Sequence, residues 1–151
     1  MLKTIIGLIW RKLPPSVRMK IVRVTQKKFT ATVAVIIENE MGEVLLLDHV
    51  LRPASDWGIP GGFLEYGEQP AEAVKRELRE EIGLELKNLE MVRVRTSGRH
   101  IEILFRARAN GTASVKSREI NALGWFEVDK MPEKMSRIQK TIIEDLLKNN
   151  L

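Results

Sequence analysis

The sequence predicts an α/β fold in which a mixed β-sheet lies between helices, with a short basic helical arm in front of it. Three observations lead to this prediction. The chain has 151 residues, enough for one domain with a hydrophobic core. Segments rich in Val, Ile and Thr alternate with two amphipathic helical patterns. The first 28 residues contain eight Lys or Arg and no acidic residue, which marks them as a separate segment.

Residues 1–28 form the predicted arm. We expect a short helix over residues 2–12, a break at Pro14 and Pro15, and a second short helix over residues 16–23. The apolar run over residues 5–10 is too short to span a bilayer, and no small-residue cleavage site follows it. We therefore expect a cytoplasmic protein. The apolar side of the arm is expected to pack on the main domain or on a second copy of the chain, as a homodimer. The alternatives are an anionic membrane surface or nucleic acid.

Residues 29–151 form the predicted main domain. Its strands are indicated by β-branched and aromatic residues between turn residues. They are expected over residues 29–37, 43–48, 91–96, 100–109 and 124–128. Helices are expected over residues 70–82 and 133–148. The predicted buried side of the last helix consists of Ile138, Ile142, Leu146 and Leu147.

The helix over residues 70–82 carries an unusual set of carboxylates. Glu77, Glu80 and Glu81 are spaced i, i+3 and i+4, so they crowd along one edge of the helix. Like charges at this spacing repel one another unless a cation neutralises them. Arg76 neutralises part of the charge, and Mg2+ or Mn2+ would do so better because both prefer carboxylate oxygens. The alternative is an ordinary solvated helix face.

The segment before this helix favours the metal interpretation. The stretch from Trp57 to Gly62 reads WGIPGG, a tight turn that brings backbone close to the start of the helix. Glu68 adds a fourth carboxylate just before the helix. A glycine-rich loop next to a carboxylate-lined helix and an arginine suits a metal-bound polyphosphate.

Residues Gly62 to Leu84 match the template G-x5-E-x7-R-E-U-x-E-E-x-G-U, in which U is a bulky aliphatic residue. This pattern is the Nudix box, and the chain resembles the Nudix hydrolases. The resemblance is strong over residues 58–84, fair over residues 29–132 and faint in the arm. It implies an α/β/α sandwich with a mixed sheet. It also implies hydrolysis of a diphosphate linkage in a nucleoside diphosphate derivative, by water activated on Mg2+ or Mn2+.

The resemblance also assigns metal-binding roles. Glu77 and Glu81 would be direct ligands, and Glu80 would bind directly or through water. The carbonyl of Gly61 would complete the coordination shell. Glu68 would hold a metal-bound water or a second metal.

Other roles in catalysis follow from the same resemblance. Arg76 would pair with a glutamate and fix its orientation, and Gly61 and Gly62 would leave room for the substrate. The general base would be a glutamate of the box or a distant one, for which Glu119 is the best candidate. Glu119 precedes Trp125 by six residues. The alternative interpretation is that Glu119 is an ordinary surface glutamate. Glu102 is a weaker candidate because it lies in an alternating strand.

The substrate is less well determined by the sequence. The chain has no cysteine, which disfavours the isopentenyl diphosphate isomerases and the NADH pyrophosphatases with a zinc ribbon. His100 stands where typical ADP-ribose enzymes have a proline. We predict a nucleoside triphosphate or a nucleotide sugar. The alternatives are an RNA 5′-end pyrophosphohydrolase and a non-catalytic nucleotide-binding module. Arg52 and Arg99 are candidates for phosphate contact, with a solvated surface role as the alternative.

Overall fold

The computed structural model of the protein describes residues 2–51 and 57–148. The contacts within the chain divide it into two compact units, Met1–Thr30 and Ala31–Leu151. This division lies close to the boundary predicted after residue 28.

The first unit contains two helices, α1 (Leu2–Lys12) and α2 (Pro15–Thr25). Pro14 separates them because its ring cannot continue α1, whereas Pro15 fits the first turn of α2 with its fixed φ angle. α2 extends two residues beyond its predicted end, and the Thr25 hydroxyl donates to the carbonyl of Ile21 there. No helix in the described part of the chain is long and apolar enough to cross a membrane.

Seven strands of the described residues form one sheet. They are β1 (Thr30–Glu38), β2 (Val44–His49), β3 (Trp57–Gly58), β4 (Gly61–Phe63), β5 (Glu85–Ser97), β6 (His100–Asn110) and β7 (Ile120–Phe126). The main order is β3-β2-β1-β6-β5, with β4 paired to β1 and β7 paired to β2. Gly42, with φ +77°, turns the chain between β1 and β2, and its N–H donates to the carbonyl of Asn39.

Helices α3 (Pro70–Glu81) and α4 (Arg137–Lys148) cover the two faces of this sheet. Side chains alternate between faces along a strand, so neighbours in β1 enter different cores. Val35 packs in the cluster that contains Leu78 of α3. Ile36 packs in the cluster that contains Ile143 of α4. The predicted α/β/α arrangement with a mixed sheet is confirmed.

The buried side of α4 was predicted incorrectly at one position. Ile138 is 60% exposed, whereas Ile142 and Ile143 are buried. Residues 133 and 134 form a turn and residue 135 a bend, so the helix begins at residue 137, later than predicted. At about 100° per residue, the buried stripe is centred between Ile142 and Ile143, which turns Ile138 away from the sheet.

Several strands also differ from the prediction. β5 begins at Glu85 and β7 at Ile120, each several residues early. The short strands β3 and β4 lie in the segment that the sequence indicated only as a tight turn. Backbone pairing with β2 and β1 makes strands of these segments, and residue preference alone does not indicate such tertiary pairing.

Candidate active site

Arg76 of α3 is the centre of a carboxylate cluster. Its Nε and Nη2 donate to the two oxygens of Glu68 at 2.9 and 3.1 Å. Its Nη1 donates to Glu77 at 2.9 Å and to Glu80 at 3.4 Å. Its Nη2 also donates to the carbonyl of Phe63, at 3.1 Å. One guanidinium therefore holds three of the four carboxylates proposed as metal ligands, and it connects the loop before α3 to the helix.

These contacts and burial set the protonation of the cluster. Burial raises the pKa of Glu77 above its ordinary value, and the hydrogen bond from Arg76 only partly opposes this. The hydrogen bond from Arg76 lowers the pKa of Glu68. In return, the hydrogen bond to Glu68 raises the pKa of Arg76, so the arginine stays charged. Glu77 is thus protonated more readily than Glu68.

The last turn of α3 connects the helix to the chain before β7. The last carbonyls of an α-helix lack partners within the helix. Here the N–H groups of Lys116 and Ser117 donate to the carbonyl of Glu81, at 2.8 and 3.2 Å, and the N–H of Ser114 donates to that of Ile82. The side chain of Glu81 is buried, with 6% of the residue exposed. This capping fixes the segment that leads directly to Glu119.

Two glycines allow β4 to approach both β1 and α3. Gly61 has φ +150°, and a Cβ there would overlap the carbonyl of Val33 and lie 2.7 Å from the Cα of Ala34. A Cβ on Gly62 would overlap the carboxylate of Glu77. Glycine is therefore required where the backbone passes this closely.

These elements surround a cavity of about 450 Å3. It is lined by Thr32, Val33, Ala34, His49, Ile59, Gly61, Gly62, Phe63, Glu65, Arg76, Glu77, Glu81, Glu102, Glu119 and Gln139. Most of the predicted site residues therefore meet in one place, including the distant Glu119. Glu68 and Glu80 do not line the cavity, and they contact Arg76 beside it.

Of the two predicted phosphate-binding arginines, only Arg99 belongs to the residues that the structure describes. Arg99 is exposed in the turn between β5 and β6 and does not line the cavity. Arg52 lies outside the described residues.

The sequence interpretation missed several lining residues, among them His49 and Gln139. His49 ends β2, where a bulge shifts the register with β7, and the N–H of the next residue, Val50, donates to the carbonyl of Glu119 at 2.9 Å. Gln139 of α4 accepts a hydrogen bond from the N–H of Ile59 at 3.3 Å. Neither residue belongs to a recognisable sequence motif. Each reaches the cavity only because segments that are distant in the sequence contact one another.

The oxygen donors of the site fit a hard divalent cation. Glu77, Glu81 and Gly61 line one cavity, and carboxylate and carbonyl oxygens are the ligands that Mg2+ and Mn2+ prefer. Across residues 2–51 and 57–148, no group of three or more His, Asp or Glu side chains is already arranged to hold a metal ion. In this structure Arg76 holds the side chains of Glu68, Glu77 and Glu80.

Comparisons with known proteins agree with this site. The NUDIX domain model matches residues 28–146. A MutT-like protein of Streptomyces ambofaciens is 30% identical over 122 residues, which cover 78% of this chain and 77% of that protein. An 8-oxo-dGTP diphosphatase of Haemophilus influenzae is 40% identical over 67 residues, which cover 43% of this chain and 49% of that enzyme.

The fold is also similar to that of solved Nudix hydrolases. The crystal structure of a MutT NUDIX hydrolase from Burkholderia pseudomallei superposes with a TM-score of 0.70 at 24% identity, covering 78% of this chain and 98% of that one. The box, the fold and the family match thus agree. The chain belongs to the Nudix hydrolase family and is a hydrolase of pyrophosphate bonds.

Proposed function

We propose that the protein is a Mg2+-dependent pyrophosphohydrolase that cleaves the diphosphate linkage of a nucleoside triphosphate or a nucleotide sugar. The observation that carries the proposal is a single cavity lined by Glu77, Glu81, Gly61 and Glu119. It combines oxygen donors for a metal with a separate carboxylate that can accept a proton.

Glu77, Glu81 and the carbonyl of Gly61 would hold Mg2+ (or Mn2+), with Glu80 and Glu68 as further or water-mediated ligands. The metal would supply a Lewis acid and an activated water. To bind it, Glu77 would loosen its contact with Arg76, which keeps its two hydrogen bonds to Glu68. Arg76 would then act as a positioning residue for the loop before α3.

The proposed general base is Glu119. Water attacks a phosphorus of the diphosphate, so that a new P–O bond forms and the bridging P–O bond breaks. Glu119 takes the proton of the attacking water, while the leaving phosphate takes the electron pair of the broken bond. Glu102 lines the same cavity, but its carboxylate is paired with Arg95 and is therefore the weaker candidate.

A nucleoside triphosphate is the substrate that the observations favour. The cavity of about 450 Å3 is in the range of small-ligand sites. The relative from Haemophilus influenzae is named an 8-oxo-dGTP diphosphatase, and its similarity covers less than half of this chain. Purine nucleoside triphosphates, including the oxidised form, are therefore the first substrates to test.

The test is release of pyrophosphate, phosphate and nucleotide with Mg2+ from dGTP, 8-oxo-dGTP, nucleotide sugars, ADP-ribose, dinucleotides and 5′-triphosphate RNA. Glu81→Gln is the inactive variant. Glu72→Gln is the matched control, because Glu72 lies on the same helix, is exposed and pairs with Lys75.

We expect turnover of a nucleoside triphosphate or a nucleotide sugar in the wild type and in Glu72→Gln. In Glu81→Gln, turnover should fall by roughly two orders of magnitude or more, since direct metal ligands contribute several kcal/mol to catalysis. Turnover of 5′-triphosphate RNA alone would replace the proposal by an RNA-end hydrolase. Tight nucleotide binding without turnover of any substrate would replace it by a binding module.

A further inference from the structure

Helix α1 presents a large apolar surface to solvent. Ile5, Ile6, Leu8 and Ile9 are each at least half exposed, and Trp10 is more than one third exposed. A contiguous exposed apolar patch of this kind marks an interaction site rather than an ordinary protein surface.

The apolar side chains share one side of the helix. At about 100° per residue, the side chains from Leu8 through Ile9 and Ile6 to Trp10 cover roughly 200° of the circumference. Lys3 and Arg11 lie on the opposite side, whereas Lys12, in the last turn, falls within the apolar arc. α1 is thus an amphipathic helix with aliphatic residues and a tryptophan on one face, which ends in a lysine, and with Lys3 and Arg11 on the other face.

The charged residues around this surface are all basic. Residues 1–28 contain eight Lys or Arg and no Asp or Glu. No residue of α2 is buried, and its exposed side chains include Met19 and Val24 next to basic residues. A partner that complements the arm must therefore be anionic and must also accept apolar side chains.

These two requirements disfavour other occupants. Two arms of a homodimer would bring sixteen cations together without a counter-charge. A nucleic acid would satisfy the cations through its phosphates but would leave the face around Ile6 and Ile9 in water. An anionic bilayer surface meets both requirements, because its headgroups carry the charge and its acyl boundary accepts the apolar face.

We propose that α1 lies in the interfacial layer of a bilayer containing anionic lipids and holds the protein reversibly at that surface. Ile6 and Ile9 enter the acyl boundary, Trp10 lies at headgroup level, and Lys3 and Arg11 remain among the lipid phosphates. Pro14 and Pro15 end this helix, so that the chain leaves the surface there.

The test is co-sedimentation of the full chain with vesicles of phosphatidylcholine alone or with one quarter phosphatidylglycerol. Two double variants with the same introduced residue separate the two contributions. The first, Ile6→Gln with Ile9→Gln, removes apolar surface and is called the apolar variant. The second, Lys3→Gln with Arg11→Gln, removes charge and is called the charge variant. Circular dichroism and the unfolding temperature check the fold of each.

We expect binding to the anionic vesicles, much weaker binding to pure phosphatidylcholine, and weakening by salt. The charge variant should lose affinity by about fivefold per removed cation. The apolar variant should lose it on the order of a hundredfold.

Three results would overturn the proposal. The first is equal binding to both kinds of vesicle. The second is an apolar variant that binds vesicles like the wild type. The third is a chain that does not bind vesicles but binds single-stranded RNA instead, or that sediments as a dimer which the apolar variant dissociates.

Discussion

Arg76 determines how the carboxylates of the candidate site are held before a metal binds. It forms hydrogen bonds with Glu68, Glu77 and Glu80, which would otherwise repel one another. Of these three, only Glu77 lines the cavity, and burial raises its pKa. The protonation of Glu77 should therefore limit metal binding as the pH falls, because a ligand must be deprotonated to bind.

The first prediction concerns this acid limit. Arg76→Gln removes a cation that lowers the pKa of Glu77, so this pKa should rise further. Activity should then begin to fall at a higher pH than in the wild type. The measurement is kcat/KM against pH at a fixed Mg2+ concentration below saturation, where protons compete with the metal. Arg79→Gln is the control, because Arg79 is exposed and pairs only loosely with Glu85, at 3.7 Å. An unchanged or lower acid limit in Arg76→Gln would contradict the prediction.

The second prediction concerns the general base. Glu119→Gln should lower kcat by roughly 10²- to 10⁴-fold, the usual contribution of acid–base catalysis, and should leave the fold intact. The control is Glu102→Gln, which alters a second carboxylate of the same cavity. Its kcat should change much less. Wild-type turnover in Glu119→Gln, or a larger loss in Glu102→Gln, would exclude Glu119 as the base.

At the scale of elements, the contact of β4 with β1 and α3 leads to a third prediction. In Gly61→Ala the new Cβ meets the backbone of β1, which cannot move away, so the unfolding temperature should fall clearly. In Gly62→Ala it meets the end of the Glu77 side chain, which can rotate. Gly62→Ala should therefore keep its stability and lose activity. Thermal unfolding and turnover of both variants distinguish the two effects, and identical behaviour would refute this account of the loop.

The fourth prediction concerns the orientation of α4. Ile143→Ala should lower the free energy of unfolding by about 2–5 kcal/mol because it leaves a cavity in the core. Ile138→Ala should change it by less than about 0.5 kcal/mol, since Ile138 is 60% exposed. The two variants make the same chemical change on one helix, and denaturant unfolding measures both. Equal losses would mean that both isoleucines are buried.

The sequence predicts some of these elements better than others, for physical reasons. The pattern that defines α3 is local, so its bounds were predicted to within one residue. The strands β3 and β4 depend on pairing with β2 and β1, and their residues alone indicate only a turn. Gln139 reaches the cavity because α4 packs where it does, a contact across 80 residues with Ile59. Residues that share a local motif were therefore found, whereas Gln139, which only packing brings to the cavity, was not.

At the scale of the whole molecule, the charges are separated between the two parts of the chain. The arm over residues 1–28 has eight cations, and residues 29–151 have 17 basic and 20 acidic residues. The high isoelectric point, about 9.6, therefore belongs to the arm and not to the hydrolase. A metal bound to the carboxylates of the hydrolase unit should consequently stabilise that unit independently of the basic arm.

The fifth prediction tests this coupling between metal and stability. A ligand that binds only the folded state stabilises it by about 2.7 kcal/mol at a hundred times its Kd. For a chain of 151 residues this corresponds to a rise in Tm of roughly 5–10 °C. We expect such a rise when Mg2+ is added to the wild type and to Lys3→Gln with Arg11→Gln, at constant ionic strength. Glu81→Gln should show almost none, because it lacks one of the proposed ligands. A rise of the same size in Glu81→Gln would place the stabilising metal elsewhere in the molecule.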